Sequence, residues 1–488
     1  MKGFEGIASR ARNIGLFASL AFCATGASAL AGDVAPTAEG AQKLQSNLAA
    51  YFGANVVKVT PEGDHYALLF DIAKALAPLA DQGVKIDMAL GPIALTEQSD
   101  GAWRIAADGN ALFNAHLKDG EYSIRYDGYN YAGVFDPAIS GFREAQIRAD
   151  KIGFQLHSPA LEETGQAGPL QATLTGAAAA GGGLDAVLHE ELTDSSLTVT
   201  PKKSDAAGGA SPPPVTIRVT PLVVDVKADN LRSRQLLDLW AFFLAHQTRA
   251  DLATHQDELK TKLMGLLPVA DKIDESFAGQ KLVVESPKGP VIVETLKASF
   301  ATDHFPSKGT NEVHIALTGI SPPAGLAPPA MQPLMPTSID IGFKVNGYDY
   351  GAAAAEAIKD LDFAGEGPVI PEGDRPKITA LMMAGPIAVT VLPSRILASQ
   401  LDLSFEGELQ LTGGHPVGKI TMKARDFDKT MAAVKSAGPL ATPQVIAALT
   451  MAKGLGKADP DGSLVWVAEY AADGVMKLNG LPLGKAPQ

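Results

Sequence analysis

Histidine is the side chain that most often binds a catalytic metal or transfers a proton, and the chain contains nine histidines. No two of them are spaced as H-x-H or H-x3-H. His189, followed by Glu190 and Glu191, begins like the H-E-x-x-H motif of zinc peptidases, but Asp185 and Thr193 stand where the second histidine would be needed. Zinc binding on one helix face requires two ligands on adjacent turns. We therefore interpret this segment as the polar edge of a strand and predict no metal site.

Motifs for nucleophilic catalysis and phosphate binding are also incomplete. The chain has no G-x-S-x-G elbow, and residues 454–457 lack the preceding strand and third glycine of a dinucleotide-binding turn. Adjacent carboxylates such as Glu162 and Glu163 would point to opposite faces of a strand. A pair of catalytic carboxylates assembled from distant positions stays open. We predict no catalytic residue and no cofactor, and an enzyme remains the alternative interpretation.

Residues 459–462, Asp-Pro-Asp-Gly, weakly resemble the start of a calcium-binding loop. An EF-hand needs a longer series of oxygen ligands that ends in Glu, whereas a hydrophobic strand follows here directly. We interpret the segment as a tight turn.

A bulky apolar helix is the best candidate for a ligand site. Residues 233–246 are apolar on nearly every side of the predicted helix, and Trp240, Phe242 and Phe243 are the candidate ligand-binding residues. Such a helix could line or plug a lipid-binding groove against the concave face of a sheet. The other interpretation is core packing, since a helix that is apolar all round is ordinarily buried. Core packing would bury the indole of Trp240 against a sheet.

Most of the remaining chain alternates between apolar and polar residues with period two, as in residues 339–345 and 401–411. This pattern predicts strands with one buried and one solvated face, which are usual in antiparallel sheets. The Asp-Gly pairs at Asp108, Asp119, Asp127 and Asp473 predict hairpin turns. The predicted fold is α+β, with large curved antiparallel sheets and packed helical hairpins.

Three helical segments interrupt the strands. After the apolar helix, Thr248 and Asp251 form an acidic capping box that opens a second helix ending before Pro268. Residues 351–361 form a short Ala-rich helix. Residues 428–456 form a pair, the second member of which begins at the cap and N1 proline of Thr442-Pro443.

The first 31 residues have the layout of a secretory signal peptide. Lys2, Arg10 and Arg12 precede an apolar run, and residues 29–31, Ala-Leu-Ala, fit the cleavage rule. Phe22 stands before the only cysteine, Cys23, where a lipoprotein would need a small residue. We therefore expect a periplasmic protein that begins at Gly32, contains no cysteine and has no membrane span after cleavage.

Composition limits the partners. The net charge is −13, and removal of three basic residues and one acidic residue with the signal peptide would make it −15. An acidic surface repels phosphate, which argues against nucleic acid as a partner and against electrostatic binding to anionic lipids. The expected partners are a lipid or another envelope protein.

We divide the chain into five predicted regions. The signal peptide covers residues 1–31, an N-terminal β-rich part 32–230 and a helical hairpin 231–275. A β segment with a Pro-rich crossover covers 276–345, and a C-terminal α+β part covers 346–488. Residues 201–214, rich in Gly, Pro and Ser, form a long loop within the β-rich region. Two similar Pro-Glu-Gly-Asp segments, 61–64 and 371–374, leave duplication and chance both open.

Several segments resemble the alphaproteobacterial family known as domain of unknown function 2125. They are the Leu-Asp-Leu-Trp-Ala-Phe helix at 237–242 with Ala-His at 245–246, the Pro-rich stretch 325–336 leading into 337–345, the segment 420–427, the helix pair that follows it, and residues 461–464 and 480–484. The resemblance implies a large β-rich envelope protein and brings no activity, cofactor or site. The expected function is a non-enzymatic role in envelope assembly or maintenance, with a lipid or other apolar ligand. The alternatives are an envelope hydrolase with a dispersed active site and a structural partner of an outer-membrane complex.

Overall fold

The computed structural model describes residues 33–77, 83–117, 120–202, 213–304, 309–382, 384–412, 415–438 and 441–485. The predicted signal peptide and most of the predicted loop 201–214 lie outside these ranges. The described chain forms two compact units. The first contains the residues up to 202 with Val223–Leu266 and Leu361–Val369, and the second contains Pro213–Leu222, Leu267–Asp360 and the residues from Ile370 onward.

Antiparallel strands dominate both units, and the predicted α+β class with a large antiparallel sheet is confirmed. The first unit contains strands β1 (Val57–Glu62), β2 (His65–Phe70), β3 (Lys85–Ala89), β4 (Ile93–Glu97), β5 (Trp103–Leu117), β6 (Gly120–Asp136), β7 (Gly141–Ala149), β8 (Lys151–His157), β9 (Leu161–Ala178), β10 (Leu184–Pro201) and most of β12 (Leu222–Leu231). Its helices are α1 (Ala38–Phe52), α2 (Ile72–Ala75), α3 (Ser233–Ala245), α4 (Arg249–Thr254) and α5 (Gln256–Leu266).

The second unit contains strands β11 (Val215–Val219), β13 (Lys272–Glu285), β14 (Val291–Asp303), β15 (Thr310–Thr318), β16 (Ser338–Asn346), β17 (Ile387–Ala398), β18 (Leu401–Thr412), β19 (His415–Arg425), β20 (Lys457–Ala458), β21 (Leu464–Tyr470), β22 (Val475–Leu478) and β23 (Leu481–Lys485). Its helices are α6 (Tyr350–Lys359), α7 (Arg375–Met382), α8 (Phe427–Ser436) and α9 (Pro443–Leu455), with a 3-10 helix at Pro329–Leu334. In the described part of the chain, no helix combines the length and apolar character needed to cross a membrane.

The long β5–β6 hairpin forms the centre of the sheet in the first unit. β5 pairs with β4 along residues 103–106 and with β3 along residues 112–116. On the other side, β6 pairs with β7 along 130–136 and with β8 along 121–127. β9 spans both β7 and β8 and pairs with β10, which in turn pairs with β12. Both long hairpin strands therefore have two shorter partners placed end to end.

Irregular backbone crosses this sheet where the end-to-end partners meet. The register of β5 with β6 shifts after Gly109, and Gly128 donates its backbone N–H to Asn110 Oδ1 at 2.9 Å. On β9, Gly168 has a φ of 146°, and the pairing of β9 with β10 omits Pro169 and Thr193 while keeping the same register on both sides. We call the line formed by Gly109, Gly128, Gly168 and Thr193 the seam.

Two of the predicted hairpin turns are wrong, and both lie at the seam. Asp108-Gly109 and Asp127-Gly128 lie inside β5 and β6, because a glycine with positive φ accommodates a bulge within a strand as readily as a turn. Asp473-Gly474 does join β21 to β22, as predicted, and Asp119 lies outside the described residues.

The predicted capping residues mark the starts of two helices correctly, but the helix predicted after Thr248 is divided in two. Thr248 accepts the backbone N–H of Asp251 at 3.1 Å, and its hydroxyl donates to the Asp251 carboxylate at 2.6 Å, which confirms the capping box. Thr442 caps α9 with Pro443 at its first position, also as predicted. The single helix predicted after Thr248 is wrong: it is broken at His255, whose ring stacks on His246 with 3.9 Å between the ring centroids.

In the second unit, β13 to β19 pair consecutively, β11 joins β13, and β21, β22 and β23 continue the sheet beyond β19. Register shifts interrupt the β16–β17 and β17–β18 pairs. The Pro-Glu-Gly-Asp segments differ in local structure, since 61–64 forms the end of β1 and the turn to β2, whereas 371–374 precedes α7.

Candidate functional site

Helix α3, which carries the three predicted site residues, is hydrogen-bonded at both ends within the first unit. At its start, Ser233 Oγ donates to the carbonyl of Ile139 at 3.0 Å, and Arg234 Nε donates to Ser140 Oγ at 3.2 Å. Just beyond its end, Gln247 Nε2 donates to the carbonyl of Ala75 at 2.6 Å. These bonds hold the helix between the β6–β7 turn and α2.

Phe242 occupies the buried side of α3 and is only 4% exposed. Its ring lies 4.5 Å from that of His246, which stacks on His255, and Lys262 Nζ lies 6.0 Å from the Phe242 ring centroid. Phe242 therefore links α3 to α4 and α5 as part of the core. Its ring also lies edge to face with that of Phe243, with 5.9 Å between the ring centroids, so the structure brings these two predicted site residues together and separates Phe242 from Trp240.

Trp240 and Phe243 lie on the solvent side of the same helix. The indole is 56% exposed, and Leu237 and Phe243 are also exposed, at 45% and 41%. The expectation that Trp240 is buried is therefore wrong. The spacing of Leu237, Trp240 and Phe243 at i, i+3 and i+6 places them along one side, which we call the α3 surface.

A second apolar surface lies on the sheet of the second unit. Side chains that are directly opposite in an antiparallel pair share a face, and Phe300, Val313, Phe343 and Val391 follow one another across β14, β15, β16 and β17. In the neighbouring row, Ile315 lies opposite Ala298 and Ile341. The face is apolar because every second residue of these strands points to it.

Helices and loops cover this apolar face in two places. Trp466, on β21, is 6% exposed and packs on Phe427 of α8 with ring centroids 5.3 Å apart. At another position, the buried Tyr348 stacks on Tyr350 and lies beside Thr302 and Asn311. Thr302 and Asn311 are opposite each other in β14 and β15, and Asn311 lies on the same face as Val313, two residues away. Burial is the main cause that raises the pKa of the Tyr348 hydroxyl.

Between these covered places, three apolar side chains remain exposed to solvent. Val313, Ile315 and Phe343 have exposed fractions of 38%, 43% and 43%. We call this cluster the open patch. The alternation of residues 339–345 identified one strand of it in advance, but alternation carries no information about whether a face is covered.

The opposite face of these strands is polar and carries ion pairs. His314 Nε2 lies 2.6 Å from Asp340 Oδ1, and Arg395 forms two hydrogen bonds with Asp402 at 2.8 and 2.9 Å. Hydrogen bonding to Arg395 lowers the pKa of the Asp402 carboxyl. In the first unit, His189 pairs with Asp225 at 2.7 Å, which agrees with the interpretation of that segment as a polar strand.

One arrangement on this polar face has the residue types of a hydrolase. Ser299 lies directly opposite His314, which contacts Asp340. The register around Ser299 is continuous with both β13 and β15, so the neighbouring backbone N–H groups are used in the sheet. An acyl-transfer site needs donors that are free to bind the developing oxyanion, and this strand interior does not offer them.

The segment 459–462 forms a tight turn, as predicted. Gly462 N–H donates to the carbonyl of Asp459 at 2.9 Å, and Lys423 Nζ contacts the carboxylates of both Asp459 and Asp461. The ammonium group therefore occupies the position between the two carboxylates. Among the residues that the structure describes, no group of three or more His, Cys, Asp and Glu side chains is placed to hold a metal ion.

Comparison with known proteins identifies a family. The family model described as "Uncharacterized protein conserved in bacteria (DUF2125)" matches residues 243–487. Neither a curated protein nor a solved structure matches the chain.

Proposed function

The chain belongs to the DUF2125 family, and from this premise we propose that it is a non-enzymatic periplasmic protein of envelope assembly or maintenance that holds a lipid or another apolar ligand. The observation that carries the proposal is the open patch, where Val313, Ile315 and Phe343 are exposed together on one face of a sheet. Clustered exposed apolar side chains are typical of a binding surface, whereas single ones are common on any protein.

The chemistry of the open patch favours a hydrocarbon chain over a peptide. The register is continuous on both sides of β15 near Val313 and Ile315, so the backbone donors and acceptors are already paired. An extended peptide would have to leave its backbone polar groups unpaired against this face, which costs free energy. An acyl chain has no such groups, and it gains the hydrophobic contribution of every apolar contact.

We further propose that the sheet of the second unit curves around this ligand and that α8 and α9 pack as a hairpin at its covered end. The support for curvature is the pair of register shifts in β17, because bulges bend a strand and increase its twist.

The test is native mass spectrometry of the purified protein for copurifying lipid, combined with a titration of cis-parinaric acid. We expect Val313→Thr/Ile315→Thr/Phe343→Thr to lose copurifying lipid and to bind the probe at least about tenfold more weakly. The residues are exposed, and threonine suits a strand, so the variant should fold.

The matched control is Leu69→Thr/Leu117→Thr/Val187→Thr, which changes three exposed apolar side chains on strands of the first unit. It should bind the probe as the unaltered protein does. Equal loss in both triple variants would contradict a site at the open patch. Turnover of an ester substrate would support the hydrolase, and capture of a defined envelope protein in place of lipid would support the structural partner.

A further inference from the structure

We propose that the α3 surface, formed by Leu237, Trp240 and Phe243, docks the protein on a zwitterionic lipid bilayer. The inference concerns the first unit and does not depend on a ligand at the open patch. Its starting point is that three large apolar side chains on one helix face water while the opposite side of the same helix, at Phe242, is core.

The helix is held in a way that keeps these side chains outward. Hydrogen bonds fix its start through Ser233 and its far end through Gln247, and Phe242 packs into the stack of His246 and His255. Rotation that would bury Trp240 would expose Phe242 and break this stack. The α3 surface is therefore preorganised, and binding does not have to pay for ordering it.

The area of the α3 surface suits a membrane better than a protein. An aromatic side chain offers about 150–250 Å² when fully exposed. With about 150 Å² for the leucine, the three residues at their exposed fractions present about 300 Å². A stable interface between two proteins buries about 800 Å² on each partner. A bilayer sets no such minimum, because each apolar side chain that enters the acyl boundary contributes separately.

The residue types and charges indicate which bilayer. Tryptophan is enriched where hydrocarbon meets headgroups, since its ring is apolar and its N–H is polar. Arg234 and Asp238, both exposed on α3, provide one charge of each sign beside the α3 surface. The chain as a whole carries a net charge of −13, which opposes an anionic surface. A zwitterionic headgroup layer fits both observations.

The test uses the chain from Gly32 onward, which retains every described residue, and vesicles of phosphatidylcholine. We expect cosedimentation with the vesicles and a blue shift of tryptophan emission that brominated acyl chains quench. Trp240→Phe should keep binding while losing this signal, because Trp466 is buried and Trp103 is half-buried. Leu237→Ser/Trp240→Ser/Phe243→Ser should lower the partition coefficient at least about tenfold.

The matched control is Val445→Ser/Met451→Ser, which removes two exposed apolar side chains from α9. It should bind vesicles as the unaltered protein does, and circular dichroism should show that both serine variants are folded. The proposal is overturned if the α3 variant binds undiminished or if binding occurs only to anionic vesicles and is abolished by salt. Concentration-dependent dimerisation that the α3 variant loses would assign the surface to a second copy and would also overturn it.

Discussion

The indole N–H of Trp466 donates to the backbone carbonyl of Ala452 at 2.7 Å, which fixes β21 against α9. The same ring packs on Phe427 and is almost completely buried. Trp240, on an exposed side of its helix, has no comparable enclosure. The two tryptophans therefore represent the core environment and the surface environment of one residue type.

This contrast predicts different effects on stability. Trp466→Ala should lower the free energy of unfolding by about 3–5 kcal/mol, because a large buried ring leaves a cavity. Trp240→Ala should change it by about 1 kcal/mol or less, as is usual for exposed positions. Urea denaturation measures both. Equal destabilisation by the two substitutions would mean that Trp240 is buried in solution.

The turn at residues 459–462 predicts a specific response to acid. Hydrogen bonds from Ser463, followed by that from Lys423, hold the pKa of Asp461 well below its ordinary value. A carboxyl whose pKa is lowered by folding stabilises the protein above its unfolded pKa, and this stabilisation is lost as the pH falls through the folded pKa.

We therefore expect the urea midpoint to fall as the pH drops below about 4, and Asp461→Asn should make that fall shallower. The control is Asp473→Asn, since Asp473 occupies a comparable turn in which it accepts the N–H of Val475 at 3.0 Å. If the two variants have the same acid profile, Asp461 does not carry the effect.

The signal peptide prediction concerns residues outside the described ranges. Cleavage should follow Ala31, because residues 29–31 present small side chains at both positions that the peptidase reads. N-terminal sequencing of the periplasmic fraction should begin at Gly32. Detection of intact Met1 in a membrane fraction would refute the cleavage.

The segment 201–214 predicts a preferred site of proteolysis. Its composition is rich in Gly, Pro and Ser, so ordering it would gain little apolar burial. Trypsin should cut first at Lys202 or Lys203, and Lys202→Gln/Lys203→Gln should slow the cut. The fragments should stay associated because β10 pairs with β12 on the far side of the segment. Separation of the fragments by size-exclusion chromatography would contradict this.

The interpretation as a binding protein predicts that Ser299 is unreactive. Without free oxyanion donors, the Ser299 hydroxyl beside His314 should not be labelled by a fluorophosphonate probe at neutral pH. Intact-mass analysis measures the label, and His314→Ala provides the control. A label that disappears in His314→Ala would establish an activated serine and favour the hydrolase.

Local signals in the sequence determined several elements correctly. The Thr248–Asp251 capping box and the Thr442-Pro443 helix start depend on contacts within one helical turn, and the structure has both at the predicted residues. The turn predicted at Asp108-Gly109 is wrong because a glycine with positive φ occurs both in turns and in bulges. Which of the two forms depends on the partner strands.

The two apolar surfaces show that the sequence pattern does not predict whether an apolar face is covered or exposed. A period of two places Phe343 on the apolar face of β16, but whether that face is covered depends on helices far away in the chain. Similarly, a helix that is apolar on nearly all sides predicts burial of Trp240, whereas the contacts of α3 bury the side that carries Phe242.

The seam in the first unit has a mechanical consequence. A continuous ladder makes a sheet stiff, and an unpaired position in each of several neighbouring strands removes that stiffness along a single line. Asn110, Gly128 and Pro169 are left out of the strand pairing, and they lie in β5, β6 and β9 where the shorter partner strands also end. We therefore expect the sheet of the first unit to bend along the seam more readily than elsewhere, with the strand pairing on either side of the seam left intact.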